Sequence, residues 1–166
     1  MSGKTAASPM TRRSLLLASL LLGACAPSPV TVDVNFPTTE AFMRSEQARV
    51  LVFPLESTTE QLGACPQLLD ELPTQSFSIE PVYDSDLRSV CAIRGGMSLP
   101  EFGEGPHAYV VEIFSAGNRR ILQGCSIGEI YVDGPDVQVQ LHPTMDFDAA
   151  TAAPGTPESY CAAGGT

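Results

Sequence analysis

The chain has no tryptophan, a single lysine at Lys4, and only two histidines, His107 and His142. Without tryptophan, sugar stacking would depend on four tyrosines and seven phenylalanines, some of them required for a core. The histidines lie far apart, with no second ligand at helical or hairpin spacing, so neither reads as a metal ligand or general base. By alternation His142 falls on the polar face of a strand end, and His107 sits at a strand start after Gly105-Pro106. No Cys-x-x-Cys pair occurs, which argues against zinc and thioredoxin-like redox chemistry. There is no G-x-G-x-x-G and no phosphate loop, and no G-x-S-x-G motif, the nucleophile elbow of a Ser-His-Asp hydrolase, is expected. No catalytic, cofactor-binding or metal-binding residue is assigned. The apolar run from Leu15 to Ala24 has ten residues. A bilayer-spanning helix needs roughly 20, and no later segment is long enough either.

What is present begins with an address. Lys4, Arg12 and Arg13 precede the apolar run, and no acidic residue occurs before Asp33. A positive segment, a short apolar segment and small residues at its end make a secretory signal peptide. Thr11-Arg12-Arg13-Ser14-Leu15-Leu16 also has the look of a twin-arginine signal. The lysine usual after that apolar pair is replaced by Leu17, and disulfide formation favours threading unfolded. The general secretory route is therefore preferred. Removing residues 1–24 leaves 166 − 24 = 142 residues with six arginines, no lysine and all nineteen acidic residues, a formal charge of 6 − 19 = −13. Such a surface repels nucleic acid, so no nucleic-acid partner is expected, and solubility near a membrane is the simpler reading of the charge.

Four cysteines remain beyond the leader: Cys65, Cys91, Cys125 and Cys161. An even number in an exported chain reads as two disulfides, with three possible connectivities. We prefer Cys65 with Cys125 and Cys91 with Cys161, although spacing alone does not decide it.

Along the chain, residues 30–36 (VTVDVNF) alternate as a half-buried strand does. Thr38 can cap a short helix through Ala41 and Phe42. Arg49 to Phe53 reads as a central strand. Ser57 to Pro73 is expected to be helical in part, with Pro66 in a first turn and Leu68, Leu69 and Leu72 on one side. Phe77 and Ile79 alternate as a third strand, Leu87 to Ile93 as a fourth, and Met97 to Phe102 as a short extended piece. Residues 107–114 put Tyr109, Val111 and Ile113 on one face. Ala116-Gly117-Asn118 supplies a turn, Arg120 to Val132 returns with interruptions at Gly124 and Gly128, and Gly134-Pro135 turns again. Val137, Val139 and Leu141 point inward from a last strand. Short strands separated by turn signals, with little helix, predict a mainly β fold: a single antiparallel β-sandwich over residues 30–147. Residues 148–166, rich in Ala, Gly, Pro and Thr, are expected to be a flexible tail except where Cys161 staples it. Asp84-Ser85-Asp86, Asp146-Phe147-Asp148 and Asp133-Gly134-Pro135-Asp136 are read as solvated acidic turns in preference to calcium loops, because the EF-hand pattern is missing.

Two resemblances extend this reading. Leu22-Gly23-Ala24-Cys25 resembles the lipobox of bacterial lipoproteins, in which the cysteine is acylated and the chain is cut just before it. The resemblance implies that Cys25 is the lipid attachment site, with residues 25–29 as tether; the alternative is an ordinary cleavage site with a chance cysteine. Ala26 in place of Asp then implies the outer membrane. The segment SLPEFGEGPHAYVVEIFSAGNRRILQGC is similar to the closing strands of transthyretin-like and carboxypeptidase-regulatory-like sandwiches. Together with VNFPTTEAFMRSEQARVLVF it resembles small bacterial envelope lipoproteins over roughly Val30 to Leu141, and brings no catalytic residues. The expected function is a non-enzymatic interaction or structural module, held at the membrane by lipid beside an envelope protein partner. A ligand-binding accessory domain for peptide or glycan is the alternative, and an enzyme a distant third.

Overall fold

The computed structural model describes residues 29–130 and 136–164. Cys25 with its lipobox, Asp133 and the Gly134-Pro135 turn lie outside the described residues. The chain forms β1 (Thr31–Asn35), α1 (Thr39–Met43), β2 (Gln47–Pro54), α2 (Thr58–Glu71), β3 (Tyr83–Asp84), β4 (Arg88–Ser89), β5 (Met97–Ser98), β6 (Gly105–Phe114), β7 (Arg120–Ile130), β8 (Val137–Gln140), β9 (His142–Pro143) and α3 (Pro157–Ala162). The fold is mainly β, in two sheets. The larger has the order β3-β2-β6-β7-β9, with β4 also on β2, and the smaller has the order β5-β1-β8. No helix among the described residues is long and apolar enough to cross a membrane.

Alternation along the central strands serves two cores. Val50 and Val52 of β2, with Tyr109, Val111 and Ile113 of β6, face the smaller sheet and meet Val32, Val137, Val139 and Leu141. Leu51, Phe53, Ala108 and Val110 point the other way, against Ala64, Leu68 and Leu72 of α2. Central strands covered on both faces lose the clean polar–apolar alternation, and residues 107–113 of β6 are accordingly all buried. The smaller sheet is not purely antiparallel, as the sequence had led us to expect. β1 pairs in parallel with β8, Val32 opposite Val137 and Asn35 opposite Gln140. A parallel pair needs a long crossover, and here it encloses most of the larger sheet.

The glycines of β7 explain how closely the sheets approach. A Cβ on Gly124 would stand 2.4 Å from the Gln140 carbonyl oxygen, and one on Gly128 would stand 2.8 Å from a Val137 methyl. They do not interrupt the strand, which runs through both. On the opposite face, Cys125 is bonded to Cys65 of α2, so β7 is clasped from both sides. The second disulfide joins Cys91 to Cys161.

Several local expectations are corrected. Helix α2 starts at Thr58, capped by Ser57 in a box with Glu60, and Pro66 lies inside it instead of in a first turn. The signal for that start is Ser57-x-x-Glu60. No strand forms at Phe77 and Ile79. The Ser78 amide is taken by the Glu71 carboxylate at 3.0 Å, and Phe77 stacks edge-on against Phe53 at 5.0 Å. The strand beside β2 is instead β3, at Tyr83–Asp84. Residues 87–93 make only the two-residue β4 and a 3-10 turn at Val90–Ala92, and the piece after Gly96 is only the two-residue β5. Residues 148–164 carry a short helix and contacts with the rest of the fold. Helix α3 is capped by Thr156, the Ala153 amide donates to Met43 O at 2.7 Å, and the Tyr160 hydroxyl donates to Ser45 O at 3.2 Å. Composition suggested a tail because apolar residues are few there. The disulfide and the Tyr160 ring, perpendicular to Phe42 at 6.3 Å, supply the docking instead.

Two substitutions test this packing. Gly124→Ala drives a methyl into backbone and should destabilise the protein by about 2 kcal/mol, the scale of an overpacked core, read from urea unfolding. Tyr109 has a buried hydroxyl without a partner, and burial pushes its phenol up to about 12. Its folded value exceeds the ordinary one near 10, so its contribution is whole below about pH 10 and is lost as pH rises toward about 12. Tyr109→Phe should therefore raise stability by about 1 kcal/mol at neutral pH and flatten the alkaline limb of the stability curve.

Candidate functional site

Three adjacent strands and the loop after α2 bring charge together at one end of the fold. Arg49 on β2 stands directly opposite Glu112 on β6. Arg120, opening β7 beside an irregularity in the β6–β7 register, reaches the same carboxylate with Nη1 3.0 Å from Oε1. The Glu112 side chain is 1% exposed, and Arg49 Nη1 lies 3.6 Å from its other oxygen. A carboxylate so deeply buried persists only when paired. Gln75, held at a left-handed φ of 52°, accepts from Arg49 Nη1 at 2.5 Å and turns its amide toward Glu112 Oε1 at 3.5 Å.

Asp84 completes the group. Arg49 donates to it with Nε at 2.9 Å and with Nη2, a two-pronged pair. The hydrogen bonds to Arg49 hold the Asp84 carboxyl below the usual range, and the same bonds raise the Arg49 guanidinium. The Asp84 carboxylate also accepts from the Asp86 amide at 2.9 Å, with Asp86 at a φ of 54°. Asp84 and Asp86 are exposed as expected of solvated residues, but Asp84 ends β3 and is ion-paired to Arg49.

These residues floor a cleft of ≈ 680 Å³, within the range of small-molecule sites. Arg49, Arg119 and Arg120 are matched in its lining by Asp86, Glu112 and Asp146, and Leu72, Leu87 and Phe114 give it apolar walls. Glu112 Oε2 and Arg120 Nε lie sealed beneath it without a hydrogen-bond partner, Oε2 keeping only the longer ion pair to Arg49. Sequence reasoning gave Arg49, Glu112, Arg119 and Arg120 no role in a site, and read Asp86 and Asp146 only as solvated turns. Glu112 interrupts an apolar run with a charge, and that was the available signal.

The cleft lies at the end of the fold opposite to where β1 enters. β1 starts beside Val137 and Ser98, and Val137 lies against Gly128 near the end of β7. Arg119 and Arg120 stand at the other end of that strand. Arg44, Arg88 and Arg94 join them through contacts with Phe147, a pairing with Ala48 and a stacking on Phe42. All six arginines of the described residues therefore gather at the far end, whereas Glu56, Glu101, Glu104, Glu129 and Asp136 flank the end where β1 begins.

Of the other candidates, Asp146 lines the cleft and the rest stay separate from it. His107 is buried, not solvated, with Nδ1 3.0 Å from Gly105 O and its ring between Phe102 and Tyr109. His142 is exposed in β9. Asp146 caps a short turn, and Asp148 sits 4.0 Å from Arg44. Gly124-Cys125-Ser126-Ile127-Gly128 does match the letters of G-x-S-x-G, contrary to the expectation of no such motif. It lies within β7, with Cys125 in a disulfide, instead of at the strand-to-helix turn an elbow requires. Among the described residues, no group of three or more His, Cys, Asp or Glu side chains could hold a metal ion. In comparisons with known proteins, the chain matches no family, no curated protein and no solved structure.

The Arg49–Asp84 pair generates a pH prediction. The folded Asp84 value lies below the unfolded one, so its contribution is present above about pH 4 and is lost as pH falls through the folded value. Asp84→Asn should cost about 0.5–1 kcal/mol at pH 7, modest because the pair is partly exposed. Urea unfolding at a series of pH values should find that difference shrinking as pH falls below about 4.

Proposed function

We propose that this protein is a lipid-anchored bacterial envelope domain, fastened through Cys25 to the outer membrane, which works by contact with a partner and not by catalysis. The observation that carries the reading is Leu22-Gly23-Ala24-Cys25, with β1 beginning six positions later at Thr31. Two acyl chains give stable anchoring where one is marginal. The five residues CAPSP after the cleavage point extend about 17 Å at about 3.3 Å each, so the folded part stays close to the bilayer. The two disulfides support an oxidising compartment outside the cytoplasm. We read the two sheets as one sandwich of the transthyretin-like kind, modified by the parallel β1–β8 pair and by α2 over the outer face of the larger sheet.

A second reading, a ligand-binding accessory domain, is favoured by one observation: a cleft of ≈ 680 Å³ lined by three arginines, three carboxylates and apolar side chains. Both readings place the protein at the membrane. Cys25→Ala should move it from the membrane pellet to the soluble fraction and abolish incorporation of labelled palmitate. Retention in the pellet with both disulfides formed would refute the anchor.

A further inference from the structure

We propose that the Cys91–Cys161 bridge is a redox latch, opened by a dithiol reductant to release residues 151–164 while Cys65–Cys125 stays closed. The inference goes beyond anchoring and partner contact, and starts from the unequal support behind the two bridges. Cys65 follows the buried Ala64 inside α2, and Cys125 stands within β7 opposite Val110, which is wholly buried. Freeing either sulfur means lifting α2 from the core of Leu51, Phe53, Leu68 and Val110. Cys161 instead sits in the six-residue α3, and none of residues 151–164 is buried. A helix that short does not persist alone, and such a segment opens at much lower cost than packed strands.

What the latch covers is apolar. Phe42, Met43 and Val90 are buried, and Ala153, Tyr160 and Cys161 pack against them. Besides the bridge, the segment is tied by the Ala153 amide on Met43 O, the Tyr160 hydroxyl on Ser45 O and the exposed pair of Arg94 with Glu158. An exposed ion pair adds little, and each hydrogen bond gives way to water at small net cost. Once the covalent link is gone, these ties do not offset the entropy of ordering the segment. In the exchange, one thiolate of the dithiol attacks the Cys161 sulfur, and Cys91 leaves as a thiolate that takes up a proton. The second thiolate then attacks the reductant's sulfur in the mixed disulfide and expels Cys161, which is protonated in turn. The bridge gains two electrons and two protons, and the dithiol ends as a disulfide. α3 unwinds, and Phe42 and Met43 meet solvent.

The test exposes the full-length protein, purified in detergent with both bridges formed, to graded ratios of reduced to oxidised dithiothreitol. Quenching with iodoacetamide and peptide mass spectrometry identify the freed thiols at each ratio. Cys91 and Cys161 should be labelled at a ratio at least about tenfold lower than Cys65 and Cys125. With only that bridge open, hydrogen exchange at the amides of Ala153, Tyr160 and Ala163 should speed up at least about tenfold, with β6 and β7 unchanged. Cys91→Ser combined with Cys161→Ser should show the same exchange without reductant. If that variant fails to fold, the partly reduced wild-type protein decides. Labelling of all four cysteines together, or of Cys65 and Cys125 first, would overturn the proposal. So would amides that stay protected with the bridge open, or in the folded double variant. The outcome is independent of the anchor, which is read by membrane fractionation of Cys25→Ala.

Discussion

A single carboxylate stands on the one strand that both layers cover, and the far end of the molecule is arranged around it. β6 is buried from His107 to Ile113, with the smaller sheet on one side and α2 on the other. Glu112 falls on the α2 side, beyond the reach of that helix's apolar residues. Burial of an unpaired carboxylate costs several kcal/mol, so Arg49 and Arg120 converge on it from both neighbouring strands. Arg49 then brings Asp84 on β3 into the same group. The loop after α2 closes it with Gln75, at a backbone angle that asparagine or glycine adopts more readily. The cleft is what remains where the apolar cover of α2 ends and this charged group begins.

How far the sequence disclosed this arrangement differs from element to element, for physical reasons. The strands on either side of the turn at Ala116-Gly117-Asn118 were legible because local alternation and turn chemistry specify a hairpin without help from distant residues. The same holds for Thr38 capping α1. The parallel β1–β8 pair was not legible, since Val32 and Val137 are over a hundred residues apart and their local patterns suit either direction. Helix α2 was misplaced because Pro66 was given a first-turn role, although Ser57 and Glu60 mark the start. Phe77 and Ile79 have strand periodicity, but the larger sheet had no room for them: β2 is already flanked by β3 and β4, and Glu71 takes the Ser78 amide. For the candidate site, composition exposed the scarcity of cations but not their clustering. Arg49, Glu112 and Arg120 are adjacent only through strand register, and no spacing along the chain announces it.

The two clasps on β7 act from opposite faces by unlike means. Gly124 and Gly128 remove side chains so that the Gln140 backbone and the Val137 side chain can approach, a non-covalent fit with no space for an added methyl. Cys125, on the opposite face, fixes the strand to α2 by a bond that closes a loop of 60 residues. Such a loop restricts the unfolded chain by about 4 kcal/mol in the chain-entropy account. β7 is therefore held both by fit and by cross-link.

The bridges overlap along the chain: one joins positions 65 and 125, the other 91 and 161. A single peptide-bond cut anywhere between Cys65 and Cys161 is spanned by at least one of them. A protease that nicks an exposed turn, such as the one at Asn118, leaves two fragments still covalently joined and still packed. Release of a fragment from that region requires either two cuts or a reductant. Damage to one loop is thus a local wound and not a loss of the molecule.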